Sequence, residues 1–161
     1  MNSMIYESPL GAILLTTSDG HRLSGLKFVD AAAVPSSVAA GESVAVLEES
    51  VRWLDRFFAG KNPGCVPPLS LRGTEFQCRV WRELCSVDYG RTVTYGELAR
   101  RVGCRSARAV GSALGRNPIL LMIPCHRVVA AVGPGGYAAG LSRKLALMRL
   151  EGVEPVFPLK F

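Results

Sequence analysis

The sequence predicts an α/β protein of two domains: a small N-terminal α/β domain with an antiparallel sheet over residues 1–72, and a mainly helical domain over residues 73–161. Three observations predict this fold class. Short β-rich runs separated by turn signals occupy residues 4–28. A Pro/Gly-rich stretch at 61–73 marks the domain boundary. Beyond it, two short capped helices with a glycine between them predict a winged-helix-like helix-turn-helix.

The N-terminal elements follow from turn residues and hydrophobic periodicity. The β-rich runs predict a meander with strands at 5–7, 12–17 and 23–28 and turns at 8–11 and 18–20. Residues 31–43 are rich in Ala, Ser and Gly and predict a loop. An apolar stripe with spacings of three and four then predicts an amphipathic helix that ends at Gly60. The stripe consists of Val44, Leu47, Val51, Leu54 and Phe58.

The domain boundary is followed by a capping box. A short strand is predicted at Leu69–Leu71, just before it. Thr74 and Gln77 have the T-x-x-Q spacing in which each side chain caps the backbone of the other. The helix that they open is predicted to run to about Ser86. Its expected buried residues are Phe76, Val80, Trp81 and Leu84.

The next two helices form the predicted helix-turn-helix. Thr94 and Glu97 make a second capping box, and the short helix after them ends near Val102 at Gly103. Ser106 is a natural N-cap for the second helix. A short helix, a tight turn containing glycine and another short helix are typical of this motif, although many small domains contain such a corner.

The second of these helices, Ala107–Gly115, is poor in long side chains. We expect Ala107, Val110 and Leu114 to face the core, and the opposite face to carry Arg108, Ser112 and Gly115. A helix that reads the major groove usually carries several long polar side chains. This one suits close backbone approach or minor-groove docking. Tight packing against another protein element explains the small residues equally well.

Charge and cysteine usage restrict the possible functions. Residues 1–72 carry 6 Lys and Arg against 7 Asp and Glu, whereas residues 73–161 carry 13 against 6, a net charge of +7. Such an excess suits phosphate contacts, or it is a solvated basic surface. Five cysteines without a CxxC, and only two histidines, indicate neither a disulfide framework nor a zinc cluster. No signal-peptide pattern or membrane-length apolar stretch occurs, which predicts a reducing, cytoplasmic location.

The segment Ile123–Val128 places a thiol directly beside an imidazole. Such a thiol can become a thiolate near neutral pH, and the thiolate is the nucleophilic form. In an ordinary strand Cys125 and His126 would face opposite ways, so they can cooperate only at a bend or through water. Asn117 is well placed to hold such a bend. Taken alone, the pair can also be a buried cysteine with a chance histidine neighbour.

The loop Gly133–Gly140 consists of small residues around Tyr137. It can fold over a planar ligand or form a long surface turn.

The last helix is predicted to start near Ser142 and to end at Glu151. Its apolar positions are Leu141, Leu145 and Met148. Because the helix dipole disfavours a carboxylate at a C-terminus, a partner would explain Glu151, and a surface glutamate is the alternative.

Motifs in the second domain occur in a fixed order. They are Gly73–Gln77, Val80-Trp81, Thr94–Gly96, Arg108–Gly111, Asn117-Pro118, Ile123–Val128, Gly136-Tyr137 and Leu150–Gly152. Together they resemble the O6-alkylguanine-DNA alkyltransferases, also called methylated-DNA–protein-cysteine methyltransferases. The resemblance implies direct-reversal DNA repair: an alkyl group moves from O6 of guanine, or O4 of thymine, to Cys125, irreversibly and once per protein. It implies no cofactor.

The resemblance also implies catalytic roles. Cys125 is the alkyl acceptor, and His126 takes its proton through a water. Glu151 holds and polarises His126. Tyr95 contacts the flipped base and helps to protonate the leaving guanine. Asn117 pins the turn that contains the cysteine.

Contacts with the damaged DNA are implied in the same way. Arg108 fills the gap that the flipped base leaves in the duplex, and Tyr137 and the backbone of Ala138 wall the base and donate to its O6. The remaining implied contacts are Ala107, Ser112 and Val128. The partner is double-stranded DNA containing O6-alkylguanine, bound through its minor groove by a monomer, with cooperative binding left open.

The sequence departs from some relatives in two places. Some members carry zinc in the N-terminal domain, but only His21 and Cys65 are present there, so we expect no zinc. The loop between Arg127 and Tyr137 is one residue shorter than in some relatives, which leaves its contacts open.

Three other functions compete with repair. A lesion binder without activity is disfavoured by Cys125, and a sequence-specific regulator by the small-residue helix. A thiol hydrolase using Cys125 and His126 would turn over repeatedly and needs no basic half.

Overall fold

The structure is a computed structural model that describes residues 1–34 and 44–154. The chain divides into two compact units. The first comprises Met1–Arg72 together with Pro118–Leu120, and the second comprises Gly73–Asn117 and the chain from Leu121 onward. The division between Arg72 and Gly73 lies where the sequence analysis placed a domain boundary. The assignment of Pro118–Leu120 to the first unit was not predicted.

The first unit is built on a three-stranded antiparallel sheet. Its strands are β1 (Asn2–Ser8), β2 (Gly11–Thr17) and β3 (Leu23–Val29), in the order β1-β2-β3. Ile13 and Leu15 alternate along the central strand and are fully buried, as the two-residue period of a strand requires. The predicted meander is confirmed.

The helix α1 (Ala45–Phe58) covers this sheet in the first unit. Its buried residues are Val46, Leu47, Ser50, Trp53, Leu54 and Phe57. The predicted stripe is therefore rotated: Val44 precedes the helix as its N-cap, and Val51 and Phe58 are only half-buried. Within the predicted loop, Ala31–Ala33 forms a 3-10 turn capped by Asp30, and residues 35–43 lie outside the described residues.

The free edge of β3 is covered by two short parallel bridges within the first unit. Leu23 pairs with Leu69, and Leu26 pairs with Ile119. The backbone of Leu26 accepts from Leu120 N and donates to Pro118 O, both at 3.0 Å. The predicted strand at 69–71 is thus a single bridge, which blocks an edge that would otherwise pair with other chains.

The second unit begins with α2 (Glu75–Leu84). The predicted capping box is formed, with Gln77 N donating to Thr74 Oγ1 at 3.1 Å and Thr74 N donating to Gln77 Oε1 at 2.9 Å. The helix ends at Leu84 rather than Ser86. Val80, Trp81 and Leu84 are buried as expected, whereas Phe76 is half-buried.

The helix-turn-helix consists of α3 (Tyr95–Arg101) and α4 (Ala107–Gly115), after the short strand β4 (Val93–Thr94). Thr94 caps α3 by accepting from Glu97 N at 3.1 Å. The second predicted capping box is only half formed, because the Glu97 carboxylate pairs with Arg100 and Arg101 instead. Ser106 caps α4 as predicted.

The faces of α4 are close to those expected. Its buried residues are Val110, Ala113 and Leu114, and Arg108, Ser112 and Gly115 are exposed. The prediction for Ala107 is wrong, since this residue is exposed. Ala107 is the first residue of α4, one turn before the first buried position, so helical spacing alone misplaces it.

The end of the second unit carries β5 (Val128–Val129), which pairs in parallel with β4, and α5 (Leu141–Leu150). The predicted apolar stripe of α5 is largely wrong. Leu141 is 47% exposed and Leu145 is half-buried, and the buried residues are Lys144, Leu147 and Met148. Within residues 1–34 and 44–154, no helix is both long and apolar enough to span a membrane.

Candidate active site

A 3-10 turn, Cys125–Arg127, sets the geometry of the site. With three residues per turn, successive side chains point about 120° apart. The side chains of Cys125 and His126 therefore do not point in opposite directions, as they would in a strand. All three side chains of the turn are buried, with exposures of 3% for Cys125, 0% for His126 and 8% for Arg127.

The approach to this turn is held by two hydrogen bonds to one carbonyl. Asn117 Nδ2 and Cys125 N both donate to Ile123 O at 2.8 Å. The Asn117 contact is the one expected from an asparagine that holds a bend, while its catalytic role stays a prediction. Leu121 has a φ of 70° and is fully buried. Such a conformation costs a non-glycine residue about 1–3 kcal/mol, so the surrounding structure must impose it.

The Cys125 thiol is neutral in the resting protein. Burial raises its pKa to about 11, opposed by a hydrogen bond with the Asn117 side chain and by the charge of Lys144. Adjacency to His126 alone therefore does not ionise the thiol in the resting site. Deprotonation needs a base that acts together with the reaction.

His126, the next residue of the turn, is the candidate base. Its Nε2 lies 2.6 Å from Glu151 Oε2, and both side chains are almost fully buried. Burial lowers the pKa of His126, the nearby charges of Arg127 and Lys144 lower it further, and Glu151 opposes them. The imidazole is therefore neutral, donates its Nε2 proton to the carboxylate and carries its lone pair on Nδ1.

Glu151 has the partners that its position at a helix end demands. Arg127 donates from Nε to Oε1 at 2.9 Å and from Nη2 to Oε2 at 3.0 Å, and Gly90 N donates to Oε1 at 3.1 Å. Burial raises the pKa of Glu151, but the hydrogen bond from His126 and the hydrogen bonds and charge of Arg127 outweigh it and lower the pKa to about 2. Glu151 is thus a buried carboxylate that stays ionised, and not a surface glutamate.

Arg127 is a site residue that the sequence analysis did not identify. Besides holding Glu151, it donates from Nη1 to Val87 O at 2.7 Å, and its guanidinium carbon lies 5.8 Å from the centre of the Tyr89 ring. The available signal was an arginine within the apolar run 119–129, since a buried arginine needs a charged partner. Nothing in the sequence identified that partner.

A cavity of about 210 Å³ opens beside the thiol in the second unit. It is lined by Tyr95, Gly111, Leu114, Gly115, Cys125, Gly136, Tyr137 and Ala138. The Tyr137 hydroxyl is buried without a hydrogen-bond partner in the part of the chain that the structure describes. Tyr137 and Ala138 thus line the same cavity as Cys125, while their contacts with a base stay a prediction.

Tyr95 is fixed against the glycine-rich loop. Gly136 N donates to the Tyr95 hydroxyl at 3.1 Å, and the hydroxyl donates to Gly136 O at 3.4 Å. A Cβ at Gly135 would lie 2.7 Å from the Tyr95 hydroxyl, and Gly135 has a φ of 73°, so a side chain there is excluded. Burial raises the pKa of Tyr95, which keeps its hydroxyl protonated at neutral pH.

Lys144 is the second residue that the sequence analysis missed. Its Nζ donates to Val128 O and Gly136 O, and burial lowers its pKa to about 8. Lys144 thereby ties the loop to β5. The Val128 side chain is fully buried and is not among the residues that line the cavity, and its carbonyl accepts from Lys144. The predicted contact of Val128 with the damaged base stays a prediction.

The predicted DNA contacts on α4 lie outside the Cys125–Arg127 turn. Ala107, Arg108 and Ser112 are exposed on α4, and Gly111 and Gly115 of the same helix border the cavity. No group of three or more His, Cys, Asp and Glu side chains able to hold a metal ion is present in residues 1–34 and 44–154. The expected absence of zinc stays a prediction.

Two family models match the chain. One, described as "6-O-methylguanine DNA methyltransferase, DNA binding domain", matches residues 75–153. The other, described as "6-O-methylguanine DNA methyltransferase, ribonuclease-like domain", matches residues 1–69.

Individual relatives are similar over nearly the whole chain. The methylated-DNA–protein-cysteine methyltransferase of Mycobacterium leprae (strain TN) is 45% identical over 147 residues, which cover 90% of this chain and 88% of the relative. That of Methanosarcina acetivorans is 42% identical over 156 residues, covering 92% of this chain and 96% of the relative. The crystal structure of Mycobacterium tuberculosis OGT in complex with DNA is similar with a TM-score of 0.80 and 36% identity, covering 96% of each chain.

The fold and the site define a class of protein, a helix-turn-helix domain that carries a buried cysteine beside a histidine–carboxylate pair. Within this class, the chain belongs to the O6-methylguanine-DNA methyltransferase family, also called the methylated-DNA–protein-cysteine methyltransferases. The fold class and the family resemblance predicted from the sequence are confirmed.

Proposed function

We propose that this protein repairs alkylated DNA by moving an alkyl group from O6 of guanine to the sulfur of Cys125, once per molecule. The observation that carries the proposal is the position of Cys125. Its thiol borders the cavity, and its neighbour in the same 3-10 turn is a neutral imidazole held by an ionised carboxylate. A nucleophile, a base and a residue that orients the base are the elements of an activated thiol.

The reaction balances without a cofactor. The sulfur of Cys125 attacks the alkyl carbon, a carbon–sulfur bond forms and the bond from that carbon to O6 breaks, with its electron pair leaving on guanine. The thiol proton passes through a water to His126 Nδ1, and the guanine gains a proton. Tyr95, held in its protonated form at the rim of the cavity, supports the proton donation.

The raised pKa of Cys125 fits this sequence of events. A thiol with a pKa near 11 holds its proton until a substrate and a base are both in place. Glu151 stays ionised and stabilises the imidazolium that forms, so the proton stops at His126. The product is a thioether, which water does not cleave, and this accounts for a single turnover.

The second domain supplies the surface for a DNA partner. Its net charge of +7 suits phosphate contacts. The exposed face of α4 carries small residues and Arg108, which suits minor-groove docking, and the cavity receives a flipped base. We propose that Arg108 occupies the space that the base leaves.

The test is the intact mass of the protein after mixing with a duplex that contains O6-methylguanine. We expect one added methyl group per protein, located on Cys125, and none in Cys125→Ala. Cys104→Ala is the matched control, because Cys104 is a partly exposed thiol of the same domain that lies outside the cavity, and it should still gain one methyl group. Methylation of Cys125→Ala, or release of free methanol with many turnovers, would contradict the proposal, and the second result would favour a thiol hydrolase.

A further inference from the structure

Arg127 is a buried, hydrogen-bonded side chain of the site, yet the proposed transfer does not use it. It is 8% exposed and makes three hydrogen bonds, two to Glu151 and one to Val87 O. A buried arginine with one carboxylate partner is often only a structural ion pair. Its position next to His126 in the 3-10 turn gives it a second effect.

The first effect is geometric. Glu151 Oε1 accepts from Arg127 Nε and Gly90 N, and Oε2 accepts from Arg127 Nη2 and His126 Nε2. A carboxylate held by a two-pronged guanidinium lies in one plane with it and cannot rotate freely. Arg127 is in turn anchored on Val87 O. The guanidinium therefore determines where Oε2 meets the imidazole.

The second effect is electrostatic. With His126 neutral, the charges of Arg127 and Glu151 cancel, and the buried group is neutral overall. Protonation of His126 would leave one net positive charge on this buried group. Without Arg127, the same proton would meet the full negative charge of Glu151. The guanidinium thus opposes the imidazolium, while the carboxylate that it holds favours it.

We propose that Arg127 is a positioning residue for alkyl transfer, which fixes Glu151 against His126 and keeps His126 in its neutral, proton-accepting form. This inference rests on the proposed function, in which His126 takes the proton of Cys125. It predicts how the rate of transfer depends on pH.

The rate should fall at acid pH as His126 becomes protonated. In the wild-type protein this fall lies at low pH, because burial and the Arg127 and Lys144 charges lower the pKa of His126. Removal of the Arg127 charge should raise that pKa, so the fall moves to higher pH. The charged groups that act on His126 are Glu151, Arg127 and Lys144. Around them, Cys85 interacts with Arg127, Tyr89 with Glu151 and Arg127, and Tyr137 with Cys125, Arg143 and Glu151.

The experiment measures single-turnover methyl transfer at saturating duplex DNA between pH 5 and pH 9. For Arg127→Met we expect a lower maximal rate of transfer. The pH below which the rate decreases should rise by about one unit. Arg127→Lys keeps the positive charge, so its transfer rate should decrease at the same pH as that of the wild-type protein. Arg127→Gln keeps donors without the charge and replaces Arg127→Met if that variant does not fold. Arg149→Met, which removes an exposed cation two residues before Glu151, is the matched control and should keep the wild-type profile.

A second measurement reads His126 directly. The sequence has only two histidines, His21 and His126, so the ring signals of His126 can be assigned and followed in an NMR titration. We expect His126 to be neutral with its proton on Nε2 at pH 7, and its titration midpoint to rise in Arg127→Met and in Arg127→Gln. A protonated His126 at pH 7, or the same midpoint in all folded variants, would overturn the proposal.

A purely structural role predicts a different pattern. The Arg127→Met protein would then be less stable, and a smaller fraction of its molecules would transfer a methyl group. The pH dependence of the transfer rate would stay unchanged. If the wild-type protein transfers no methyl group but the His126 midpoint moves as expected, the proposed function fails and the role of Arg127 toward His126 stands.

Discussion

Replacement of Glu151 with glutamine should remove a defined part of the acid sensitivity of the fold. Glu151 is buried, and its pKa in the folded protein is about 2, below the ordinary value of 4.5. A carboxyl whose folded pKa is lowered contributes stability above its unfolded pKa and loses it as the pH falls through the folded pKa. The relevant window is therefore pH 4.5 down to pH 2.

The magnitude follows from the difference between the two pKa values. A tenfold change in proton affinity corresponds to about 1.4 kcal/mol, so the ionised Glu151 contributes on the order of 3 kcal/mol at pH 7. About 2 kcal/mol of this is already lost at pH 3. Glutamine has no charge to lose, and it leaves the Arg127 guanidinium buried without its counter-ion. Glu151→Gln should thus be less stable at pH 7 and approach the wild-type protein as the pH falls.

The assay is urea unfolding at several pH values between 3 and 7, followed by tryptophan fluorescence. Trp53 lies in the first unit and Trp81 in the second, so a Trp53→Phe background makes Trp81 the reporter of the unit that contains Glu151. Asp19, whose pKa is lowered chiefly by hydrogen bonds from the backbone of His21 and Arg22, is present in both proteins and cancels. An unfolding free-energy difference that is the same at pH 3 and pH 7 would refute this account of Glu151.

Other predictions test the DNA surface and the loop. Arg108→Ala should slow transfer from saturating duplex DNA much more than reaction with free O6-benzylguanine, because only the duplex requires base flipping; equal losses in single-turnover kinetics would show that Arg108 has no such role. Affinity for undamaged duplex should fall steeply with salt and depend little on sequence, and a titration that finds one strongly preferred sequence would favour a regulator. Lys144→Met removes the donor to Val128 O and Gly136 O, so it should cost about 1–3 kcal/mol and speed hydrogen exchange of the loop amides; unchanged exchange would mean that other contacts hold the loop.

Local signals in the sequence predicted most of the fold. Turn residues separated the three strands, and the caps at Thr74 and Ser106 placed two helix starts correctly, because these effects act within a few residues. Helical faces were predicted less well. In α5 the buried face is centred on Lys144 and Leu147, whereas the predicted apolar positions were Leu141, Leu145 and Met148. The acceptors of Lys144 are backbone carbonyls, which no side-chain pattern reveals.

The sequence predicted which residues form the site better than it predicted how they are arranged. Cys125, His126 and Glu151 come together as the resemblance implies. The 3-10 turn was not predicted, since three residues carry no usable period. The pairing of Arg127 with Glu151 joins positions 24 residues apart, and it depends on how the two segments pack. The raised pKa of Cys125 is likewise a consequence of burial, which the motif itself does not encode.

The inclusion of Pro118–Leu120 in the first unit has a consequence for biosynthesis. The backbone of buried Leu26 is paired with this segment, roughly 90 residues later in the chain. When the ribosome has made Arg72, the first unit still lacks the residues that satisfy Leu26 N and Leu26 O. A fragment that stops at Arg72 therefore leaves a donor and an acceptor without these partners, at about 1–3 kcal/mol for each group that stays buried. The nascent N-terminal unit can therefore complete its backbone pairing at Leu26 only after Pro118–Leu120 have emerged from the ribosome.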